Sequence, residues 1–84
     1  MANHNSGGAV CTTATIQWAA AIRDYLAAEA LYIARRDWMD DIIVHDGPLV
    51  KNGHFALPNK PGLGVELNRE VVEAHLIPGE KWWG

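Results

Sequence analysis

The first regular pattern along the chain is a helical stripe between residues 9 and 22. Apolar side chains recur there at spacings of three and four residues, as on the buried face of a helix. The stripe consists of Val10, Cys11, Ala14, Trp18, Ala21 and Ile22. Thr12, Thr13 and Gln17 fall outside it. The pattern predicts a helix over residues 9–22 that packs through the stripe, with Cys11 in the core rather than acting as a nucleophile.

The following segment, residues 23–39, has two interpretations. Its Leu, Ala, Glu and Arg residues favour helix, and propensity alone would continue the first helix to Met39. Alternatively, the chain breaks at Arg23 and forms a short apolar strand over residues 25–28 that ends at Glu29. Periodicity does not distinguish the two for so short a run.

The second half of the chain carries turn residues between short apolar runs. Asn52-Gly53 is a typical hairpin turn, so residues 49–57 are predicted to form two paired strands. Asn68 is the expected N-cap of a short helix over residues 69–75. The C-terminal tail has no periodicity. Its adjacent pair, Trp82-Trp83, predicts docking on a larger body because two exposed indoles leave much apolar area uncovered.

Length, charge and cysteine content limit the classes of function. A chain of 84 residues forms one small domain at most. Its net charge is −3 and no Lys/Arg cluster is present, which argues against nucleic-acid binding. No apolar run approaches the roughly 18 residues of a membrane span, and the N-terminus lacks the pattern of a secretory signal. The single cysteine cannot form an internal disulfide, so we expect a soluble cytoplasmic protein.

The candidate chemistry centres on His4, within the loop sequence MANHNSGG. Histidine exchanges protons near neutral pH, and a glycine-bearing loop can bring it to a substrate. From composition alone, a solvated histidine near a chain end is the simpler interpretation. Glu29 is a second candidate, as an acid, a hydrogen-bond acceptor or a metal ligand. His45, His54 and His75 lack the spacing of metal ligands, so no histidine metal site is predicted in this chain.

Three stretches in order resemble the C-terminal part of mandelate racemase-type enzymes of the enolase superfamily. MANHNSGG is similar to the end of the seventh barrel strand, and ATIQWAAAIRDYLAAE to the next helix and the eighth strand. GPLVKNGHFALPNKPGLGVELNREVV is similar to the C-terminal return segment, with its specific P-x-x-P-G-L-G-V-E-L-N run. Within the superfamily the resemblance is greatest to the acid-sugar dehydratases, such as galactonate dehydratase.

The resemblance implies an α/β fold, a fragment of a (β/α) TIM-type barrel. Residues 1–39 would be the end of the catalytic barrel, and residues 40–84 a C-terminal segment with hairpin, Pro/Gly loop, short helix and Trp tail. Residues 25–29 would then be a strand, against propensity. Relatives commonly have proline near position 23, where this chain has Arg23, which leaves open that an isolated copy is largely helical.

The resemblance also implies a function. His4 would be the general acid/base and Glu29 would hydrogen-bond the substrate carboxylate or the intermediate. The reaction is a Mg²⁺-dependent dehydration of a sugar acid: a proton alpha to the carboxylate is removed, the metal stabilises the enediolate, and the 3-hydroxyl leaves. The metal ligands and the aspartate that partners the histidine lie on earlier strands in relatives, so no metal ligand is expected in this chain.

We therefore expect the terminal portion of a hydro-lyase that forms a homo-oligomer when complete and is inactive as these 84 residues alone. The alternative from another class is a non-catalytic remnant or small interaction module. It would bind a partner through its apolar helix and its tryptophans.

Overall fold

A computed structural model describes residues 1–29, 38–45 and 49–83 of the chain. Its regular elements are all short, apart from one helix of 13 residues. In chain order they are β1 (Ala2–Asn3), α1 (Ala9–Ala21), β2 (Ala27–Ala28), a 3-10 helix (Asp40–Ile42), β3 (Ile43–Val44), β4 (Val50–Lys51), β5 (His54–Phe55), β6 (Glu66–Leu67) and α2 (Arg69–Ala74).

The N-terminal unit is a β1–α1–β2 arrangement in which the two strands are parallel neighbours. Asn3 lies opposite Ala28 in the register, and the amide of Glu29 donates to the carbonyl of Asn3 over 3.2 Å. A parallel pair requires a crossover connection, and α1 supplies it. The strand interpretation therefore holds for Ala27–Ala28.

The alternative of a helix continuing to Met39 is wrong over residues 22–29. Ile22 is already extended after the last turn of α1, and Asp24 has a φ of 57°, in the left-handed region that a continuing helix does not use. The strand hydrogen bonds to β1 then replace the helical ones, so tertiary pairing overrides local propensity. The remainder of that segment, residues 30–37, lies outside the described residues.

Helix α1 begins at Ala9 as predicted and ends one residue earlier than predicted, at Ala21, but its predicted buried face is wrong. The buried residues are Ala9, Thr12 and Thr13, whereas Val10 and Trp18 are exposed. Buried polar groups need hydrogen-bond partners, and the Thr13 hydroxyl has one in the carbonyl of Ala9, at 2.9 Å. The polar face can therefore pack inward without leaving an unsatisfied group.

The surroundings of Cys11 and Gln17 have the same cause, namely that α1 packs through its polar face and not through the apolar stripe. Cys11 is exposed rather than part of the core. The side-chain amide of Gln17 donates to the carbonyls of Pro58 and Leu63, over 2.9 and 3.3 Å. This contact joins α1 to the Pro/Gly loop of the second half, and it gives the polar face a packing partner that a pattern of apolar residues does not reveal.

The second half contains two antiparallel pairs and a short helix. The β4–β5 hairpin is confirmed, and both Asn52 and Gly53 have positive φ, as a type I′ turn requires. The pairing of β3 with β6 was not predicted. It includes Ile43, whose side chain is almost fully buried. Helix α2 begins after Asn68 as expected, although the Asn68 side chain makes no capping hydrogen bond.

The tryptophans of the tail stack on each other instead of inserting into a core. Their rings are 5.5 Å apart and nearly parallel, and the guanidinium of Arg69 lies 5.5 Å from the Trp82 ring. Trp83 stays largely exposed. Docking of the tail on a larger body remains a prediction.

In the described part of the chain each sheet has two strands, and these strands do not form a closed barrel. Every helix within residues 1–29, 38–45 and 49–83 is too short or too polar to cross a lipid bilayer. The result is an α/β chain whose N-terminal βαβ unit brings two strand ends to one edge.

Candidate active site

The structure brings His4 and Glu29 together at the carboxyl ends of two parallel strands. His4 directly follows β1 and Glu29 directly follows β2, and the last residues of the two strands are register partners. The Nδ1 atom of His4 forms an ion pair with Oε2 of Glu29. A carboxylate can only accept hydrogen bonds, so Nδ1 carries the proton in this contact. The other ring nitrogen, Nε2, is then the one available for proton exchange.

Both side chains of the pair are open to solvent in the 84-residue chain. The His4 side chain is 76% exposed and the Glu29 side chain 40% exposed. An ion pair this open to water contributes little to the free energy of folding because solvent screens it. What the contact shows is orientation: among the described residues Nδ1 of His4 faces Glu29, whereas the aspartate partner that the resemblance implies belongs to an earlier strand.

A third residue, Asn5, contacts the pair through its backbone. Its amide donates to Oε2 of Glu29 over 3.1 Å, so this oxygen accepts from both His4 and Asn5. The side chain of Asn5 turns inward and the residue is only 4% exposed. The Asn5 side chain also accepts the Gly7 amide at 3.1 Å, which closes a turn between β1 and α1. Both described donors bind Oε2, and within the described residues Oε1 receives none.

Asn5 was missed by the sequence reasoning. The available signal was its position two residues before a glycine, because asparagine side chains commonly accept the backbone amide two residues on. Such a signal identifies a turn but not its connection to Glu29, which lies 24 residues away.

The segment that leads into β2 makes two further side-chain contacts. The hydroxyl of Tyr25 donates to the side-chain oxygen of Asn3. Trp18 meets the Tyr25 ring edge-on at 5.9 Å, with the rings perpendicular. These contacts tie the segment before β2 both to β1 and to the crossover helix.

The remaining histidines whose contacts are described belong to the C-terminal half. Nδ1 of His54 lies 2.8 Å from the carbonyl of Asn52, within the hairpin. Nδ1 of His75 lies 2.8 Å from the Val71 carbonyl, and its ring stacks on Trp38. Neither joins the His4–Glu29 pair in the described contacts.

The described residues do not fit a magnesium site. Mg²⁺ requires near-octahedral oxygen coordination, usually with one or two carboxylates and several waters. Across residues 1–29, 38–45 and 49–83, no group of three or more His, Cys, Asp or Glu side chains could hold a metal ion. Glu29, the one carboxylate at the site among the described residues, already has two donors on one oxygen.

Comparison with known proteins supports the resemblance drawn from the sequence. Residues 1–71 match the model of the enolase C-terminal domain-like family. The chain is 41% identical over 80 residues to a D-xylonate dehydratase of Haloferax volcanii, covering 95% of this chain and 19% of that protein. It is 33% identical over 79 residues to a D-gluconate/D-galactonate dehydratase of Picrophilus torridus, covering 94% of this chain and 20% of that protein. No solved structure matches significantly.

The chain thus spans about a fifth of the length of these curated relatives. The matched region includes both strand ends, the crossover helix between them and the Pro/Gly loop that contacts this helix. On this match and on the identities to two sugar-acid dehydratases, the chain belongs to the enolase C-terminal domain-like family.

Proposed function

We propose that this chain is the C-terminal portion of a sugar-acid dehydratase and supplies two of its active-site residues, His4 and Glu29. The observation that carries the proposal is their ion pair at the ends of two parallel strands. In barrel enzymes of this architecture, reactive groups sit at the carboxyl ends of the strands. The names of both relatives describe removal of water from an aldonic acid, which supports the substrate class.

The role proposed for His4 is proton transfer through Nε2. Dehydration of an aldonate breaks the C2–H and C3–O bonds, releases water and leaves an enol that tautomerises to a 2-keto acid. One group must take the C2 proton and one must protonate the departing 3-hydroxyl. With Nδ1–H donated to Glu29, as in this chain, or to the aspartate that the resemblance places on an earlier strand, the imidazole of His4 presents Nε2 for one of these transfers.

The role proposed for Glu29 is to contact a substrate oxygen while it orients His4. Oε2 is occupied by the His4 ring and the Asn5 amide. Oε1 has no donor in the described part of the chain, so it can accept a hydrogen bond from substrate. A carboxylate fixed by two donors needs little reorganisation when it accepts from a substrate hydroxyl, which favours a role in orienting the substrate.

We also propose the larger arrangement in which these residues act. Residues 1–39 complete a (β/α) barrel as its seventh strand end, following helix and eighth strand, and residues 40–84 form the C-terminal segment. The complete enzyme is a cytoplasmic homo-oligomer that uses Mg²⁺ bound by ligands outside this chain. The 84 residues alone are inactive. No specific observation favours the alternative of an interaction module.

The test is the variant His4→Asn in the complete protein, with His54→Asn as its matched control. His54 is also an exposed histidine, but it lies in the β4–β5 hairpin. Formation of 2-keto acid from D-xylonate, D-gluconate and D-galactonate is measured. We expect His4→Asn to lower the rate by about 10²–10⁴-fold, the range for loss of a general acid or base, while His54→Asn stays near wild type.

Two results would contradict the proposal. Retention of most of the rate in His4→Asn would remove His4 from the chemistry. A folded wild-type enzyme that dehydrates none of the three aldonates would remove the substrate class.

A further inference from the structure

Asn5 is a buried polar residue. Its side chain contacts residues nearby in sequence, whereas its backbone amide contacts a residue far along the chain. Its side-chain nitrogen donates to Oγ1 of Thr12 over 2.9 Å, and its side-chain oxygen accepts from the Gly7 amide at 3.1 Å. The same oxygen also receives the Cys11 thiol at 3.6 Å. These three contacts anchor Asn5 to the turn and to the first part of α1. A buried amide with both ends bonded is held in one orientation.

The backbone amide of this anchored residue points at the active-site carboxylate. It donates to Oε2 of Glu29, the oxygen that also pairs with His4. The orientation of the Glu29 carboxylate is thereby linked to α1 through Asn5 and Thr12. Glu29 directly follows a two-residue strand, so its carboxylate depends on side-chain contacts of this kind to hold one geometry.

We propose that Asn5 is a positioning residue that holds the Glu29 carboxylate, and through it His4, for the reaction. This inference rests on the proposed function. Asn5 itself touches no reacting atom: its side chain is directed away from the site, and the residue is 4% exposed. Misplacing a catalytic group by about 1 Å can reduce a rate by as much as ~10²-fold, so an indirect support of this kind affects the rate.

Thr12 offers the means to loosen Asn5 without touching the site. Thr12→Val removes the hydroxyl that accepts from Asn5 and keeps the shape of the side chain. Thr13→Val is a matched control: it is the next residue of α1, it is equally buried, and its hydroxyl donates only to the Ala9 carbonyl in the described contacts. Both variants lose one buried hydroxyl, but only the first loses a link to Glu29.

The experiment measures kcat per folded molecule in the complete enzyme, with the folded fraction taken from circular dichroism. We expect Thr12→Val to lower kcat roughly tenfold and Thr13→Val to stay within about twofold of wild type. Thr12→Ser keeps the hydroxyl and should keep the rate, whereas Thr12→Ala should match Thr12→Val. The Ser and Ala pair decides the question if the valine variant does not fold.

A double-variant measurement separates positioning from a general structural effect. If Asn5 acts through Glu29, the loss caused by Thr12→Val should disappear in a Glu29→Ala background, since coupled residues are not additive. A loss that persists there undiminished, or equal rates for Thr12→Val and Thr13→Val, would overturn the inference. His4→Asn is assayed alongside: if it remains active, the proposed function has failed, and if it is inactive while the Thr12 variants are normal, only the positioning role has failed.

Discussion

Replacing Gly7 by alanine should displace the loop that carries Asn5. A Cβ built on Gly7 would lie 2.5 Å from both Cβ and Sγ of Cys11, and 3.3 Å from the Asn5 side-chain oxygen. Carbon atoms in ordinary contact are about 3.5–4.0 Å apart, so a separation roughly 1 Å larger is needed. The Cys11 Cβ is fixed to the backbone of α1 and cannot rotate away. The loop or the helix must therefore move.

The expected size of the effect follows from that displacement. Overpacking by one methyl group typically costs about 1–3 kcal/mol of folding free energy. The same movement would stretch the hydrogen bond from the Gly7 amide to Asn5, which is 3.1 Å long, and shift the Asn5 amide relative to Glu29. A misplacement of about 1 Å corresponds to as much as ~10²-fold in rate. We expect kcat per folded molecule to fall by about this factor.

Gly8→Ala is the control because the two glycines are adjacent in sequence but differ in the space available for a Cβ atom. A Cβ on Gly8 meets only the end of Met39, at 3.9 Å, and its φ of −79° suits any residue. Its kcat should remain near wild type. Adding Cys11→Ala to Gly7→Ala should not restore the rate, because the Cβ of residue 11 is still present. Aldonate dehydration and thermal unfolding of the complete enzyme provide both readouts. Equal activity and stability of the two alanine variants would refute the reasoning.

Three further predictions concern the pair, the Pro/Gly loop and the isolated chain. Glu29→Gln should lower the dehydration rate by about 10²-fold without removing bound Mg²⁺ from the complete enzyme, as checked by kinetics and metal analysis, whereas loss of the metal would mean that the residue is a ligand. Gly64→Ala should destabilise the complete enzyme by about 3 kcal/mol in denaturant melts, since Gly64 has a φ of 81° and its added Cβ would overlap Pro58. Gly62→Ala, with a φ of 67° but open space, should cost only about 1 kcal/mol, and equal losses would contradict the steric argument. The 84 residues alone should melt without a sharp transition and show no Mg²⁺-dependent turnover, and a cooperative melt with turnover would disprove this.

The site geometry could be predicted because it depends on chain order and strand direction. His4 and Glu29 are far apart in sequence, but each follows a strand, and parallel strands joined by a helix end at the same edge. The sequence resemblance supplied the strand at Ala27–Ala28, which propensity alone would have made helical. Once that strand is placed, both residues are expected at the same edge, but the contact between their side chains was not predicted.

The buried face of α1 could not be predicted in the same way. Apolar periodicity assumes that polar side chains stay in water, and Thr12 and Thr13 are instead buried with their hydroxyls paired. The partner of Thr12 is a side chain in the preceding loop, and that of Gln17 is a pair of carbonyls more than forty residues later. Such pairings depend on loop conformations that no local pattern encodes. The pairing of β3 with β6 was missed for the same reason, since each strand has only two residues.

The polar contacts that the apolar pattern did not predict also determine the orientation of α1 relative to the site. An apolar face would bind α1 to its neighbours with little directional preference, because hydrophobic contacts are nearly independent of orientation. Hydrogen bonds fix direction, and the bond from Asn5 to Thr12 determines how the loop after β1 enters the helix. The Asn5 amide then reaches Glu29 from a defined angle. A threonine on the inner face of the crossover helix therefore connects the packing of the βαβ unit to the orientation of the carboxylate that faces His4.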